Sequence, residues 1–430
     1  MRVHPISSAG RPPEVSGPNV VIFSGPAALL LEHVQNLERE PVDPNLYDAC
    51  AALSDVCARF YSTEAERRRA AQPILDRLFG VTTSERGNPM PTKGTPVAFD
   101  LVEVVRTGDG KTDAFILCVE VKNELGKAGP GHLQIEFTFQ NLVVRRRYYR
   151  PIRDNSLCPT ILVNISDGYI RIAYAIFTDT VVVKPILDWH PLTAGDNDQR
   201  CKDIEKLART VQAVRTAIED LRRRYQGLSP ATGEQPPPYL PNPMPTPSTT
   251  FPPNITFIDR LSSDLSQSLF RAKLDDDHLV AVEFCTSWDA DAHDVLARNH
   301  LAPLRRWSGP ITGGLTMVVM SLEPDTVCLA DKYPYAGRSL PEEVRGEVRR
   351  AVNLLHQGDP PLVHGDIRRH KILLLADGSI RLVGFLSSGK VGQARYPPTL
   401  SLDRIRSVVD GARAGGPILI SHDLQMCDQL

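Results

Sequence analysis

The sequence lacks a large net charge of either sign, because 49 Lys and Arg residues nearly balance 51 Asp and Glu residues. Without a global basic field, the chain can attract nucleic acid only through local clusters of Lys and Arg. It also lacks an apolar run of about 18 residues, so we expect no membrane span. Residues 1–23 carry Pro and polar residues where a secretory signal needs an unbroken apolar core.

The eight cysteines form no CxxC pair and show no Cys/His spacing of the kind that binds zinc. Several of them, such as Cys118, lie in apolar runs. We therefore expect reduced and buried thiols, as in an intracellular protein.

Prolines are densest in residues 228–254, where neither a helix nor a sheet ladder can persist. This composition predicts a semi-rigid linker between two domains, and a chain of 430 residues is long enough for both. The predicted organisation follows from that boundary: an N-terminal extension over 1–42, a first domain over 43–227, the linker over 228–254 and a second domain over 255–430.

Hydrophobic periodicity predicts an α+β fold in the first domain. Two helices are expected within residues 43–80, closed by Gly80, and one long amphipathic helix over 203–226. Between them, residues 96–124 read as a β-hairpin around the turn TGDG. A helix near 131–149 and two strands joined by the turn Asp-Gly follow.

The second strand of this hairpin, FILCVEVKNELG, begins apolar on both faces and ends in alternating charges. Counting back from the turn places Asp100 of the first strand within a residue or two of Glu120. Two carboxylates and Lys122 are therefore expected to converge. Because close carboxylates repel each other and lose solvation, such a pair is rarely buried without a cation, and Mg²⁺ prefers these oxygen ligands.

Asp100 followed by Glu120-Val121-Lys122, in a helix, hairpin, helix, strand order, resembles the PD-(D/E)XK restriction-endonuclease-like superfamily. The resemblance implies a metal held by Asp100 and Glu120, with Lys122 assisting the attacking water. It implies a further metal ligand on the first helix, Glu64, with Glu66 as the alternative. The alternative is a charged strand end at a solvated sheet edge.

Two further features extend this interpretation toward DNA. The resemblance implies a role for Gln134 on the helix after the hairpin, where some members of the superfamily carry a glutamine. The segment VVRRRYYR places four arginines beside Tyr148 and Tyr149, which could grip phosphates and stack bases. These arginines are Arg145, Arg146, Arg147 and Arg150. The alternative is a solvated helix end, where cations suit the helix dipole.

The second domain contains hairpin, strand, hinge and turn patterns in an order that resembles the protein kinase-like fold, with HGD at residues 364–366 in the catalytic loop. Asp366 retains the position of the family's base, and Asp291 is a remnant of its helix acid. Three groups that phosphoryl transfer needs are replaced. Glu283 stands in place of the phosphate-binding lysine, Lys371 in place of the loop asparagine and Gly384 in place of the metal-binding aspartate. The resemblance therefore implies a pseudokinase, for which we do not expect ATP as a cofactor; the alternative is an atypical active kinase.

Nuclease-like and kinase-like domains in this order, with the trailing segment GKVGQARYPPTLSLD, resemble the Crinkler-type fusions of fungi and oomycetes. The resulting hypothesis is a Mg²⁺-dependent DNA endonuclease with a restriction-endonuclease-like core, fused to a compact kinase-like domain that docks a protein partner or regulates. It implies an intracellular location, in the nucleus or the cytoplasm. A non-catalytic interaction protein in which both domains have decayed is the competing hypothesis.

Overall fold

The chain forms two compact units, which are described separately. The computed structural model describes residues 7–8, 19–37, 42–85, 99–124, 130–193, 196–229, 240–251, 254–262, 267–275, 277–334, 340–398 and 409–430. Unit 1 comprises the described residues up to Met244 together with Gln267, and unit 2 comprises the remaining described residues from Pro245 onward. Both units mix helices with sheets, so the predicted α+β class is confirmed.

Unit 1 is built on one six-stranded sheet. Its strands are β1 Ser7–Ser8, β2 Leu101–Arg106, β3 Asp113–Lys122, β4 Thr160–Ser166, β5 Tyr169–Phe177 and β6 Val181–Pro191. The order across the sheet is β1-β6-β5-β4-β3-β2. The β3 and β4 strands are parallel, as are β1 and β6, and the other pairs are antiparallel.

The helices of unit 1 cover this sheet. They are α1 Gly25–Gln35, α2 Pro44–Cys57, α3 Glu64–Phe79, α4 Gly131–Gln140, α5 Arg150–Arg153 and α6 Asn197–Gln226. The α6 helix packs against α1, α2 and α3, while α4 packs against β3 and β4. Parallel strands need a crossover connection, and α4 lies within the one that joins β3 to β4. As a result β3 is buried along its length from Ala114 to Lys122.

Sequence and structure differ at two places in unit 1. The helix predicted near 131–149 ends at Gln140 and continues as a π-helical turn over Asn141–Arg145, where the β-branched Val143 and Val144 favour helix weakly. Residues 25–35, within the predicted extension, form α1 with Leu30 and Leu31 buried. Residues 96–98 of the predicted hairpin and 230–239 of the predicted linker lie outside the described residues.

Unit 2 begins with a five-stranded antiparallel sheet in the order β10-β11-β9-β8-β7. These strands are β7 Thr256–Arg260, β8 Leu269–Lys273, β9 Leu279–Cys285, β10 Arg305–Ile311 and β11 Leu315–Ser321. Helix α7 Ala290–Arg298 follows β9 along the chain. Pro245 of the predicted linker pairs with Ile311 at the edge of this sheet.

The rest of unit 2 is helical with short strands. The strands are β12 Val327–Cys328, β13 Leu362–Val363, β14 Ile372–Leu374, β15 Ile380–Leu382 and β16 Gly389–Lys390. The helices are α8 Leu329–Lys332, α9 Glu342–His356 and α10 Ile420–Asp428. One apolar core joins α7, α9 and the loop over residues 364–367 that precedes β14.

All eight cysteine thiols are free, and six of them are buried. None of the described helices combines the length and the hydropathy that crossing a bilayer requires.

Candidate active site

Asp100 lies beside Glu120, in agreement with the hairpin register expected from the sequence. Leu101 of β2 pairs with Val119 of β3. The backbone N–H of Asp100 donates to the carbonyl oxygen of Val119 at 3.1 Å. Asp100 Oδ2 in turn accepts from the backbone N–H of Val121 at 2.8 Å. The side chain of Asp100 is therefore hydrogen-bonded to the backbone near the C-terminal end of β3.

Lys122 joins two glutamates at this end of β3. Its Nζ lies 3.1 Å from Oε1 of Glu120 and 3.3 Å from Oε2 of Glu64. Glu64 opens α3, where Thr63 caps the helix by accepting from the N–H of Glu66. The Glu120 and Lys122 side chains are 3% and 9% exposed, whereas Glu64 is 44% exposed. The cluster is thus buried on the strand side and open at the helix.

The charges of this cluster shift its pKa values. Burial, followed by the negative charge of Asp100, raises the pKa of Glu120 to about 7, and the charge of Lys122 opposes that rise. Burial alone would lower the pKa of Lys122, but Glu120 and Glu64 raise it, and the net direction is upward. Lys122 is therefore a protonated cation at neutral pH, surrounded by carboxylates that still lack full compensation.

Arg68 is a partner of Asp100 that the sequence interpretation missed. Its Nη1 lies 2.7 Å from Oδ1 of Asp100, and its Nε lies 3.2 Å from Oε1 of Glu85. Arg68 comes four residues after Glu64 on α3, so both side chains share one face of the helix. That spacing could have identified Arg68 from the sequence.

The N-terminus of α4 lies directly against Lys122. A Cβ atom at Gly131 would come within 2.5 Å of Asn164 Nδ2 and 3.1 Å of both Lys122 Cγ and Ser166 Oγ. Asn164 and Ser166 are buried on β4 and bond to each other at 3.1 Å, and Asn164 Nδ2 donates to the carbonyl oxygen of Glu120. Only glycine allows this approach of α4 to the side chain of the lysine.

The two other helix residues predicted for this site, Glu66 and Gln134, are positioned differently from Glu64. Glu66 turns back to accept from the N–H of Ser62 at 3.1 Å, so Glu64 rather than Glu66 is the acid that contacts Lys122. Gln134 is exposed on α4, and no hydrogen bond among the described residues joins its side chain to Lys122.

The arginine segment lies away from the carboxylates. Tyr149 contacts Phe115, whereas Lys122 lies seven residues further along β3, a distance of about 23 Å at 3.3 Å per residue. Tyr149 is fully buried, so the predicted stacking of bases on it is wrong. Arg150 pairs with Asp154 at 3.0 Å, and the remaining three arginines are exposed or half-buried. They are Arg145, Arg146 and Arg147.

The side chains of this cluster carry the donor atoms that a metal ion needs, but in the structure these atoms are paired with cationic side chains. Asp100, Glu120 and Glu64 supply carboxylate oxygens, which Mg²⁺ prefers as ligands. In the observed arrangement Lys122 and Arg68 supply the positive charge. Among the described residues no group of three or more His, Cys, Asp or Glu side chains is arranged to hold a metal.

In unit 2, helix α10 holds the loop that contains His364, Gly365 and Asp366 through hydrogen bonds. Asp423 of this helix is fully buried and accepts from the backbone N–H groups of His364 and Gly365, each at 2.8 Å. Asp366 itself forms a two-point ion pair with Arg368, with contacts of 2.6 Å and 2.9 Å. The negative charge of Asp366, the carboxylate predicted as a base, is therefore already balanced by the guanidinium of Arg368.

Lys371 occupies the space above Gly384. A Cβ atom at Gly384 would lie 2.8 Å from both Cδ and Nζ of Lys371, and the glycine has a φ of +84°. The Lys371 charge also reaches Glu283 on β9, where it opposes the rise in the pKa of that carboxyl caused by burial. Lys371 and Glu283, which occupy two of the three substituted positions, thus interact electrostatically.

Asp291 is not part of this group. It is exposed in the first turn of α7, and its charge acts on Arg305. The side chain of Asp289, two residues earlier, caps α7 by accepting from the N–H of Ala292 at 2.7 Å.

Comparison of the chain with protein-family models and with curated proteins finds no match.

Proposed function

We propose that unit 1 is a nuclease that hydrolyses phosphodiester bonds of DNA with the help of Mg²⁺, inside the cell. The observation that supports this most is the contact of one buried ammonium, Lys122, with both Glu120 and Glu64, beside a third carboxylate at Asp100. Burying such charges is costly, and a purely structural strand end would gain nothing from them.

In this proposal Asp100, Glu120 and Glu64 would supply the carboxylate oxygens that hold the metal ion. When bound, Mg²⁺ would polarise the scissile phosphate and make a bound water more acidic. Because the pKa of Lys122 is raised, its role is that of a cation, which orients the attacking water and stabilises the charge that develops on the phosphate. Movement of Arg68 away from Asp100 would free one carboxylate oxygen for the metal.

Plasmid cleavage by the full chain tests this function. We expect nicking or linearisation with Mg²⁺, none with EDTA, and strong loss in Glu120→Gln and in Asp100→Asn. Asp113→Asn is the matched control, because Asp113 is a carboxylate at the far end of the same strand, paired with Arg106. Activity that survives both Glu120→Gln and Asp100→Asn would place the chemistry elsewhere. A complete lack of metal-dependent cleavage would favour the non-catalytic interaction protein.

We propose further that unit 2 is a kinase-like module that docks a protein or regulates unit 1 without transferring phosphate. The supporting observation is that Lys371 fills the space above Gly384, where the resemblance expects a metal-binding aspartate. Lys371 interacts with Glu283, and Arg368 pairs with Asp366. These charged side chains of the cleft therefore already have partners and do not offer the uncompensated charges that a triphosphate and its metal ions need.

A further inference from the structure

Phe60 is exposed to an unusual degree. Its side chain is 92% accessible to solvent, and the next most exposed large hydrophobic side chain among the described residues, Phe137, is 54% accessible. Single exposed apolar residues are common and need no explanation by themselves. The position of this one, in the loop between α2 and α3, gives it significance.

The loop around Phe60 is anchored on both sides. The carbonyl oxygen of Tyr61 accepts from Asn123 Nδ2 at 3.1 Å, and the Tyr61 hydroxyl donates to the carbonyl oxygen of Val56. Arg67 lies 5.3 Å from the centroid of the Tyr61 ring and also donates to the carbonyl oxygen of Arg59. The residues before and after Phe60 are therefore fixed, while its ring projects into solvent.

The same contacts bring the loop to the carboxylate cluster. Asn123, which holds Tyr61, directly follows Lys122, and its Oδ1 accepts from Arg67 Nε at 3.2 Å. Phe60 also precedes Glu64 by four residues, which span at most about 14 Å. This upper limit on the span from Phe60 to Glu64 keeps the ring within a few nucleotides of a phosphate bound at Lys122, because extended nucleic acid spaces its phosphates by several ångströms.

We propose that Phe60 is a stacking platform for an unpaired base of the nucleic acid whose backbone lies at Lys122. This inference rests on the proposed nuclease function and specifies its substrate as a single-stranded or locally unpaired segment. Stacking on an aromatic ring requires a base face, and in a duplex both faces are covered by neighbouring base pairs. The exposed Arg59 next to the ring supplies a cation for the adjoining phosphate.

The test uses the full chain in the Glu120→Gln background, which keeps the substrate intact during binding. The probes are a 12-nucleotide single strand of DNA with one 2-aminopurine, the RNA strand of the same sequence and the blunt DNA duplex. The variants are Phe60→Ala, Phe60→Leu and Phe60→Trp. Because Phe60 is exposed, none of them is expected to disturb folding, and thermal melting checks this.

Phe60→Ala and Phe60→Leu should each weaken single-strand binding about 5- to 150-fold, the change that corresponds to the loss of roughly 1–3 kcal/mol of stacking. Phe60→Trp should retain the affinity and the quenching of 2-aminopurine, and duplex binding should not change in any variant. Whichever single strand, DNA or RNA, loses more affinity in Phe60→Ala identifies the sugar of the substrate.

Unchanged single-strand binding in Phe60→Ala would overturn the inference. Full single-strand affinity in Phe60→Leu would also overturn the inference. Stacking on a base requires an aromatic ring, whereas a general apolar contact does not. If the otherwise unaltered chain cleaves plasmid while Phe60→Ala binds normally, the inference alone fails. If the chain neither cleaves plasmid nor binds any of the probes, the proposed function fails with it.

Discussion

Lys122 and Glu64 join the end of a central strand to the first turn of a helix, with 3.3 Å between the ammonium nitrogen and the carboxylate oxygen. The two residues are 58 positions apart in the chain. Their contact completes a cluster in which the ammonium of Lys122 pairs with two carboxylates, those of Glu64 and Glu120. Most of the predictions for unit 1 depend on this cluster.

Lys122→Ala should abolish plasmid cleavage and leave metal binding detectable. The substitution removes the cation that stabilises charge on the phosphate but keeps Asp100 and Glu120 as ligands. Cleavage and Mn²⁺ binding by calorimetry measure the two effects separately. Lys111→Ala is the control, because Lys111 is exposed in the turn at the opposite end of the same hairpin. Cleavage at the original rate in Lys122→Ala would remove this residue from the mechanism.

Glu64→Gln and Glu66→Gln should have opposite outcomes, although both residues lie in the first turn of α3. Glu64 contacts Lys122, the proposed catalytic lysine, so its neutralisation should lower cleavage at least tenfold. Glu66 contacts only the N–H of Ser62 among the described residues, so its variant should cleave normally and lose at most about 1 kcal/mol of unfolding free energy. Cleavage rates and urea unfolding of both variants provide the comparison. A larger activity loss in Glu66→Gln would exchange the two roles.

Some of this site follows from the sequence and some does not. The register that places Asp100 near Glu120 could be predicted only to within a residue or two, because a β-bulge between Glu103 and Val104 shifts the pairing by one position from a count that starts at the turn. The resemblance favours Glu64 over Glu66, and the contact of Glu64 with Lys122 agrees with that preference, although the contact itself depends on how α3 docks against β3. Tyr149 was misinterpreted for a similar reason. The polar pattern around it predicts an exposed helix, while the side chain packs fully into the core against Phe115.

Gly131→Ala should destabilise unit 1 and displace Lys122. The added Cβ would lie 2.5 Å from Asn164 Nδ2, so the helix or the strand must shift, at a cost of about 1–3 kcal/mol in unfolding free energy. Cleavage should fall as well, because the same atom presses on the Lys122 side chain. Gly346→Ala is the control of opposite sign. It lies inside α9 with no atom within 4 Å of its added Cβ, and should gain about 0.5–1 kcal/mol. Denaturation by urea measures both, and a neutral Gly131→Ala would show that α4 can yield at this point.

Mg²⁺ and ATP together should not stabilise the chain, and no phosphate should be transferred. Lys371 occupies the space that a metal-binding side chain at Gly384 would need, and Glu283 adds a negative charge to the cleft. Thermal melting with and without ATP and Mg²⁺, together with a radiolabelled phosphate-transfer assay, checks this expectation. Stabilisation by ATP that needs Mg²⁺, with transfer that is lost in Asp366→Ala, would establish unit 2 as a working kinase.

Mild acid should destabilise unit 2 through buried histidines, with His293 as the clearest case. Its Nε2 lies 2.8 Å from the carbonyl oxygen of Pro303, and its ring stacks on Phe385 with centroids 4.6 Å apart. Burial lowers the pKa of His293 below the ordinary 6.5, while Asp294 opposes this shift and Arg305 adds to it. The unfolded chain therefore binds a proton that the folded chain does not, and stability falls as the pH drops through 6.5 toward the lowered folded value.

His293→Gln keeps a donor for Pro303 and removes the titrating ring, so it should flatten this dependence by up to one proton. Burial also lowers the pKa of His364; Asp423 and Asp366 oppose this shift and Lys371 adds to it, so His364 contributes a part of the slope that remains in His293→Gln. His300→Asn is the control, since His300 is exposed and Asn tolerates its φ of +55°. Urea unfolding followed by tryptophan fluorescence between pH 5 and 7.5 gives the slope of unfolding free energy against pH for each protein. The Trp288 ring lies 5.3 Å from that of His293, so this one of the three tryptophans reports on this part of unit 2. An identical slope in His293→Gln and the unaltered chain would mean that His293 takes up its proton equally in the folded and unfolded states.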